Sequence, residues 1–302
     1  MSSRVTEHRA VSMNKIIEHQ NDQSILDKLS AQRRLYNKAK NLRTLRFILG
    51  VLVIVCLSVA RLIWSDCAAI ETALVIATAL ALILEPWLES LISKRRTLAA
   101  QIQQRIDNQL YGFDWDECIC GKEPSDEIVS DYRSKKPDAS LLNWYEPGIG
   151  EVDEENVAIL LCQRENITYD SGLRSWYVTF SGWVAGVLGI GVLVLSFVEG
   201  WDLMRVLVFG VIPSIPIAEW FVTIFQDNAT DKEHLGSLED LVKAETDKAK
   251  KGGNVTTKTL QKIQNLLFLH RESGYLIPGW FYKFKRSKSE VRAAYSVKEF
   301  LE

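Results

Sequence analysis

The sequence predicts an all-α membrane protein: four transmembrane helices with long helical cytoplasmic extensions and a helical or irregular cytoplasmic domain. Three observations predict it. Four windows of about twenty residues are almost free of charge; Lys and Arg gather on one side of them; and no run alternates apolar and polar residues as a half-buried strand would. The averages conceal this. A net charge of -2 and 25% charged residues would suit a soluble domain, but the charge is concentrated between the windows.

The windows are residues 47–64 (FILGVLVIVCLSVARLIW), 67–88, 176–198 and 203–225. A helix rises about 1.5 Å per residue, so about 20 residues cross a hydrocarbon core of about 30 Å. Helices buried in a soluble protein seldom run so far without a polar face. The first window begins near residue 47, too far along for a cleaved signal peptide, so it reads as a retained anchor. Arg33, Arg34, Lys38, Lys40, Arg43 and Arg46 precede the first span, and Lys94, Arg95 and Arg96 follow the second. Arg164 and Arg174 precede the third, and Lys232 and Lys243 follow the fourth. The short loops Ser65–Asp66 and 199–202 carry acids and no Lys or Arg. The positive-inside rule then places both termini and the middle segment of a multi-pass protein in the cytoplasm.

Outside the spans, residues 1–20 read as a polar, frayed tail. Residues 21–46 carry Ile25, Leu29, Gln32 and Tyr36 at helical spacing, with no Gly or Pro before the span, so one helix is expected to run from cytosol into membrane. The second span should leave the membrane likewise, through Leu91, Leu98, Ile102, Ile106 and Leu110 to an end near Gly112. The two apolar stripes need partners, and each is the simplest partner for the other. Residues 89–175 form the central region; within it 112–150 mix Gly and Pro with Trp115, Trp144 and Tyr145, as an ordered connector would, and 151–165 return to helix. Residues 226–302 hold a charged helix, a break at Gly252-Gly253, a second helix through Leu260, Ile263 and Leu267, and a last one after Pro278-Gly279. The five cysteines lack a second Cys/His pair at ligand spacing, so Cys118 and Cys120 read as free thiols and no metal is expected.

Residues 162–177, CQRENITYDSGLRSWY, set a dense polar string directly against the uncharged third span. Part of it suits a membrane-entry elbow: Trp176 and Tyr177 at headgroup level, Arg174 at the inner leaflet, and Asp170 or Ser171 capping the span helix. Gln163, Arg164, Asn166 and Asp170 call for more. Either Arg164 or Arg174 pairs with Asp170 while Gln163 and Asn166 satisfy loop backbone, or these donors meet an anionic ligand.

This string resembles the central motif of the SMODS-associating four-transmembrane effector family, a Cys-Gln-Arg, Asn, Asp, Leu-Arg pattern ahead of a third span. LSAQRRLYNKAK resembles that family's motif before the first span, and LQKIQNLLFLHRESGYLIPGWFYKFKR its C-terminal motif. The three stand in order around four spans and cover nearly the whole chain. One departure is Ile167-Thr168-Tyr169, where an aromatic, often Trp, is expected just before the Asp. The resemblance implies an effector of CBASS-type anti-phage defence. A partner nucleotidyltransferase makes a cyclic oligonucleotide upon infection, the effector senses it, and the membrane is permeabilised, by a pore or by bilayer disruption, in abortive infection. No cofactor and no DNA or RNA partner is expected, only the activating nucleotide and the lipid bilayer.

A polyanionic ligand with stackable bases needs Arg or Lys and aromatic rings. The candidates are Gln163, Arg164, Asn166, Asp170 and Arg174 in the central motif, and His270, Arg271, Trp280 and Tyr282 in the C-terminal one. For residues 283–288, rich in Lys and Arg, contact with anionic lipid is the competing reading. Within the membrane, Glu85 beside Pro86, and Glu219 after Pro213 and Pro216, are candidates to line a cavity or the mouth of a conducting path; headgroup exposure is the alternative. Gly182 and Gly186 form a small-xxx-small face, for packing within one chain or between protomers of a homo-oligomer. Enzymatic activity is not expected, since no HExxH, nucleophile elbow or phosphate-cradling glycine loop is present. A constitutive channel or transporter and a membrane-anchored cyclic-nucleotide-binding adaptor are the rival functions.

Overall fold

In the computed structural model, residues 14–64, 67–136 and 138–301 are described. Residues 1–13 of the expected N-terminal tail and the hairpin pair Ser65 and Asp66 lie outside the described residues. The chain is helical with no strand among the described residues. The helices are α1 (Lys15–His19), α2 (Gln23–Phe47), α3 (Val53–Ile63), α4 (Ala68–Tyr111), α5 (Glu117–Cys120) and α6 (Asp126–Tyr132). There follow α7 (Glu155–Val198), α8 (Leu203–Arg205), α9 (Ile212–Lys250), α10 (Thr257–Ser273) and α11 (Gly279–Leu301).

Four continuous helices dominate, because the bilayer offers no partner for a broken backbone. Gln23–Arg61, Ala68–Tyr111, Glu155–Val198 and Leu203–Lys250 are each long and apolar enough to span, and at most 11% of their apolar windows is buried against protein. The first and fourth pass through wide π turns, Ile48–Leu52 and Val206–Val211, without interruption. Pro86 lies inside α4 and Pro216 inside α9; Pro213 stands just past the Val206–Val211 π turn that runs into α9. With 44 residues, α7 is about 66 Å long, so more than half of it stands outside a core of about 30 Å.

Outside the membrane these rods extend into one head, whose core joins Leu29 and Leu35 of α2, Ile102 and Ile106 of α4, Leu160 and Leu161 of α7, Leu235 and Leu238 of α9 and Ile263 of α10. The extensions of α2 and α4 pack on each other along their apolar stripes, with Gln32 Nε2 donating to Gln103 Oε1 at 2.8 Å. Gly112, in the left-handed region at φ 69°, ends α4, its N–H returning to the Asn108 carbonyl. The stretch 14–20 is not frayed: Ile16 and Ile17 are buried in the head core, and α1 is capped by Asn14.

One expectation is corrected here, and a choice left open by the sequence is narrowed. Residues 162–177 form no elbow; they lie in the middle of α7, which neither starts nor bends at Asp170 or Ser171. No proline interrupts them, and the Asp170–Arg174 spacing of four is that of a helical ion pair. Nor do Gly182 and Gly186 pack within one chain, since an added Cβ at either meets nothing within 4 Å. The close approach of the third and fourth spans is at Gly210, where a Cβ would stand 3.1 Å from Val192 Cγ1.

Gly210→Val is therefore expected to destabilise the folded chain by about 1–3 kcal/mol through overpacking. Gly182→Ala and Gly186→Ala, with no neighbour to meet, should not destabilise the monomer and should raise its stability by up to about 1 kcal/mol each through helix propensity; thermal unfolding in detergent measures all three.

Candidate functional site

Where the rods leave the apolar zone, a cavity of about 340 Å³ opens between α2, α7 and the α10–α11 corner. The helical period of α2 turns Gln32, Arg33, Tyr36 and Lys40 into it, and that of α7 turns Asn166, Tyr169, Asp170 and Arg174. The corner adds His270, Arg271, Tyr275, Tyr282, Lys283 and Arg286. Three segments far apart in sequence thus share one cavity rich in cations and aromatic rings.

Its floor is a buried charge cluster. Arg174 donates from Nε to Asp170 Oδ2 at 2.8 Å, from Nη1 to Asp231 Oδ2, and from Nη1 to the Tyr275 carbonyl at 3.2 Å. Asp231 also accepts the Tyr275 N–H at 2.7 Å, and His270 Nε2 lies 2.6 Å from Asp170 Oδ2. Burial by itself would raise the Asp170 carboxyl, but Arg174 and the His270 hydrogen bond outweigh it and hold it well below the carboxylate range. Burial opposes the Arg174 charge too, and the two carboxylates overcome it. A Cβ on Gly274 would stand 2.9 Å from Arg174 Nη2 and 2.7 Å from the His270 carbonyl, so only glycine lets the corner close on the guanidinium.

A second network fixes the wall. Asp107, 1% exposed, accepts from Arg271 Nη1 at 2.6 Å, from Gln264 Nε2 at 2.9 Å and from the Tyr145 hydroxyl at 2.8 Å. Arg271 Nη2 and His270 Nδ1 are buried without a hydrogen-bond partner among the described residues, although His270 Nδ1 lies 3.9 Å from Asp231 Oδ1. Lys40 and Lys283 form no ion pair among the described residues, whereas Arg33 is bound to Asp138 and Ser140 and Arg286 to Glu290. Burial pushes the Lys40 ammonium down to about 8, with Asp170 opposing and Arg174 adding to the fall. Its Nζ sits 4.9 Å from the centre of the Tyr282 ring. Burial likewise raises the Tyr36 hydroxyl to about 12, so it donates and does not ionise at neutral pH.

Of the residues expected to meet a ligand, Asn166, Asp170, Arg174, His270, Arg271 and Tyr282 line the cavity. Three do not. Gln163 is fully buried and donates to the Leu260 carbonyl at 2.9 Å, joining α7 to α10 and serving no loop. Arg164 pairs at 2.8 Å with Glu299 on another side of α7, not with Asp170. Trp280 faces away from the cavity, against Phe180. Arg33 and Lys40 were legible only as part of a motif and Tyr36 only as part of the apolar stripe of α2, since no local signal told that a cavity would open along that stripe's edge. Within the membrane helices, Glu85 and Glu89 both pair with Arg46, and Glu219 is exposed; neither Glu85 nor Glu219 lines this cavity.

The sequence itself is matched beyond this chain. The SMODS-associating 4TM effector domain aligns over residues 14–300, nearly every described residue. The chain belongs to this effector family. It is a multi-pass membrane protein of four spans, and the family is one of effectors, with no enzymatic family indicated. A protein of Bacillus cereus (strain VD146), described as a "probable CBASS effector molecule", is 22% identical over 287 residues, covering 92% of this effector and 95% of that protein. No solved structure matches the chain.

Replacing Arg174 by Met removes the guanidinium that both Asp170 and Asp231 share and leaves His270 as their one basic neighbour in the cluster, which should destabilise the effector by about 3–5 kcal/mol. Arg164→Ala, on the exposed pair with Glu299, should cost less than about 1 kcal/mol. Denaturant or thermal unfolding of the two variants gives the comparison.

Proposed function

We propose that this protein is the membrane effector of a CBASS-type defence system, with both termini and the head on the cytoplasmic side of the bacterial inner membrane. A cyclic oligonucleotide from a partner synthase binds the cavity, and the spans then permeabilise the bilayer, as a homo-oligomer that uses the open Gly182 and Gly186 face. The observation that carries the reading is the convergence of three motif segments on one site of cations and tyrosines. Lys40, Lys283 and the free edge of Arg271 offer N–H donors to phosphate, while Tyr36, Tyr169 and Tyr282 offer rings to bases. A volume of about 340 Å³ falls within the range of small-molecule sites, about 300–1,000 Å³. The Bacillus cereus relative supports the defence context.

The coupling runs through Arg174. It binds Asp170 on the third-span helix and Asp231 on the fourth-span helix while facing the cavity. A polyanion entering there competes with both carboxylates for the guanidinium, and the two helices lose their shared contact where they enter the membrane.

Reconstitution in dye-loaded liposomes with a panel of cyclic di- and trinucleotides tests the reading. Leakage that depends on one nucleotide supports it; leakage without nucleotide indicates a constitutive channel, and binding without leakage an adaptor. The Lys40→Gln/Lys283→Gln double variant should weaken nucleotide binding at least about tenfold, by loss of two charge-assisted contacts. Affinity should also fall as pH rises above about 8, where free Lys40 loses the proton that a bound phosphate requires. Lys40→Arg abolishes that pH dependence, as titration calorimetry would record.

A further inference from the structure

On the opposite side of α11 from the cavity lies a second depression, about 800 Å³, between α11 and the stretch of α7 that enters the apolar zone. Trp176, Phe180 and Trp183 of α7 form one wall and Trp280, Phe284 and Lys285 of α11 the other. The rings are held in place: Phe180 and Trp280 meet edge to face at 5.6 Å, over the buried Phe281. Yet Trp183, Trp280 and Phe284 are 73%, 58% and 73% exposed, a density of bare aromatic surface that water would not tolerate.

The order of groups along the groove is polar. α11 runs antiparallel to α7, so Trp280 lies beside Phe180, while Lys285, further from the membrane, lies over Trp176 with its Nζ 3.7 Å from the ring centre. Lys288 reaches the same ring at 5.2 Å. Two ammonium groups therefore converge on one indole, and neither forms an ion pair among the described residues. Desolvation, and then the Lys288 charge, lower the Lys285 pKa, as expected of a cation held without its anion. From Trp176 to Trp183 is seven residues, about 10 Å along α7, and these are the first turns of the charge-free third span, 176–198. Cations at the head end and an aromatic trough at the membrane end reproduce the polarity of an anionic lipid.

We propose that this groove binds one anionic phospholipid, its headgroup phosphate between Lys285 and Lys288 and an acyl chain along Trp183, Trp280 and Phe284. Ser175, also in the lining, stands one turn from Thr179 at the head end. The neighbouring charges on α11 belong elsewhere: Lys283 and Arg286 point into the cavity, and Arg286 is bound to Glu290. The site is independent of the nucleotide reading, although it lies on the same helix. A lipid seated here braces the side of α11 away from Tyr282 and Lys283, so membrane composition bears directly on the cavity wall.

Native mass spectrometry of the full-length protein, released from detergent after titration with palmitoyl-oleoyl phosphatidylglycerol or phosphatidylcholine, tests it. The expected result is retention of one phosphatidylglycerol at least about ten times better than phosphatidylcholine. Lys285→Ala/Lys288→Ala should lose that lipid, whereas Lys285→Arg/Lys288→Arg should keep it, which separates charge from misfolding. Phosphatidylglycerol carrying bromines in its acyl chains should quench tryptophan emission less in Trp183→Phe/Trp280→Phe than in the unsubstituted protein. Equal retention of the two lipids by the unsubstituted protein, or an alanine pair that keeps phosphatidylglycerol unchanged, overturns the proposal.

Discussion

One guanidinium joins the membrane helices to the head. Arg174 has Asp170 one turn behind it on α7 and Asp231 across from it on α9, with His270 and the Tyr275 backbone closing the ring. A lone charge at this depth would be expelled or neutralised; a positive group between two carboxylates, each with further donors, is held. The arrangement requires four segments of chain to be correctly placed at once. It also explains two neighbours that have no other evident purpose: the glycine at 274, which lets the corner close, and the backbone turn that aims the Tyr275 N–H at Asp231.

The rest of the head follows from rods that do not stop at the membrane surface. Because α2, α4, α7 and α9 leave the bilayer without a break, their spacing outside is constrained by their spacing inside. The head fills between them with apolar side chains and a few satisfied polar ones, such as Asp107 with its three donors. Helix α11 then lies along α7, close enough that Gly172 faces the Arg292 side chain at 3.2 Å from an added Cβ. One of its faces completes the cavity with Tyr282, Lys283 and Arg286, and the other meets the membrane boundary with Trp280, Phe284 and Lys285. A single helix thus separates a polar site from an aromatic one, and a shift of it would alter both.

Some errors of the sequence reading share a cause. The string 162–177 was polar enough to look like a loop, because polarity in a sequence does not distinguish solvent from a buried partner. Gln163 is polar and wholly buried, bonded to α10 about a hundred positions along the chain, and that partner leaves no local mark. The Asp170–Arg174 spacing did carry the helical signal, but it was outweighed by the density of hydrophilic residues around it. Residues 283–288 admitted two readings for a related reason: side chains two positions apart on a helix point about 200° from each other, so Lys283 and Lys285 face opposite sides of α11.

By itself the sequence determined the four spans, the long helical extensions, the stop at Gly112 and the pairing of the α2 and α4 stripes. Each of these follows from local quantities: hydropathy over about twenty residues, a period of 3.6, a left-handed glycine. Only the tertiary structure decided that Lys40, Arg174 and Arg271 face one cavity, that Arg164 and Trp280 do not, and that Gly210 rather than Gly182 brings two spans together. Those outcomes depend on which sides of separate helices meet. That is set by packing among elements distant in the chain, and no window of sequence contains both partners.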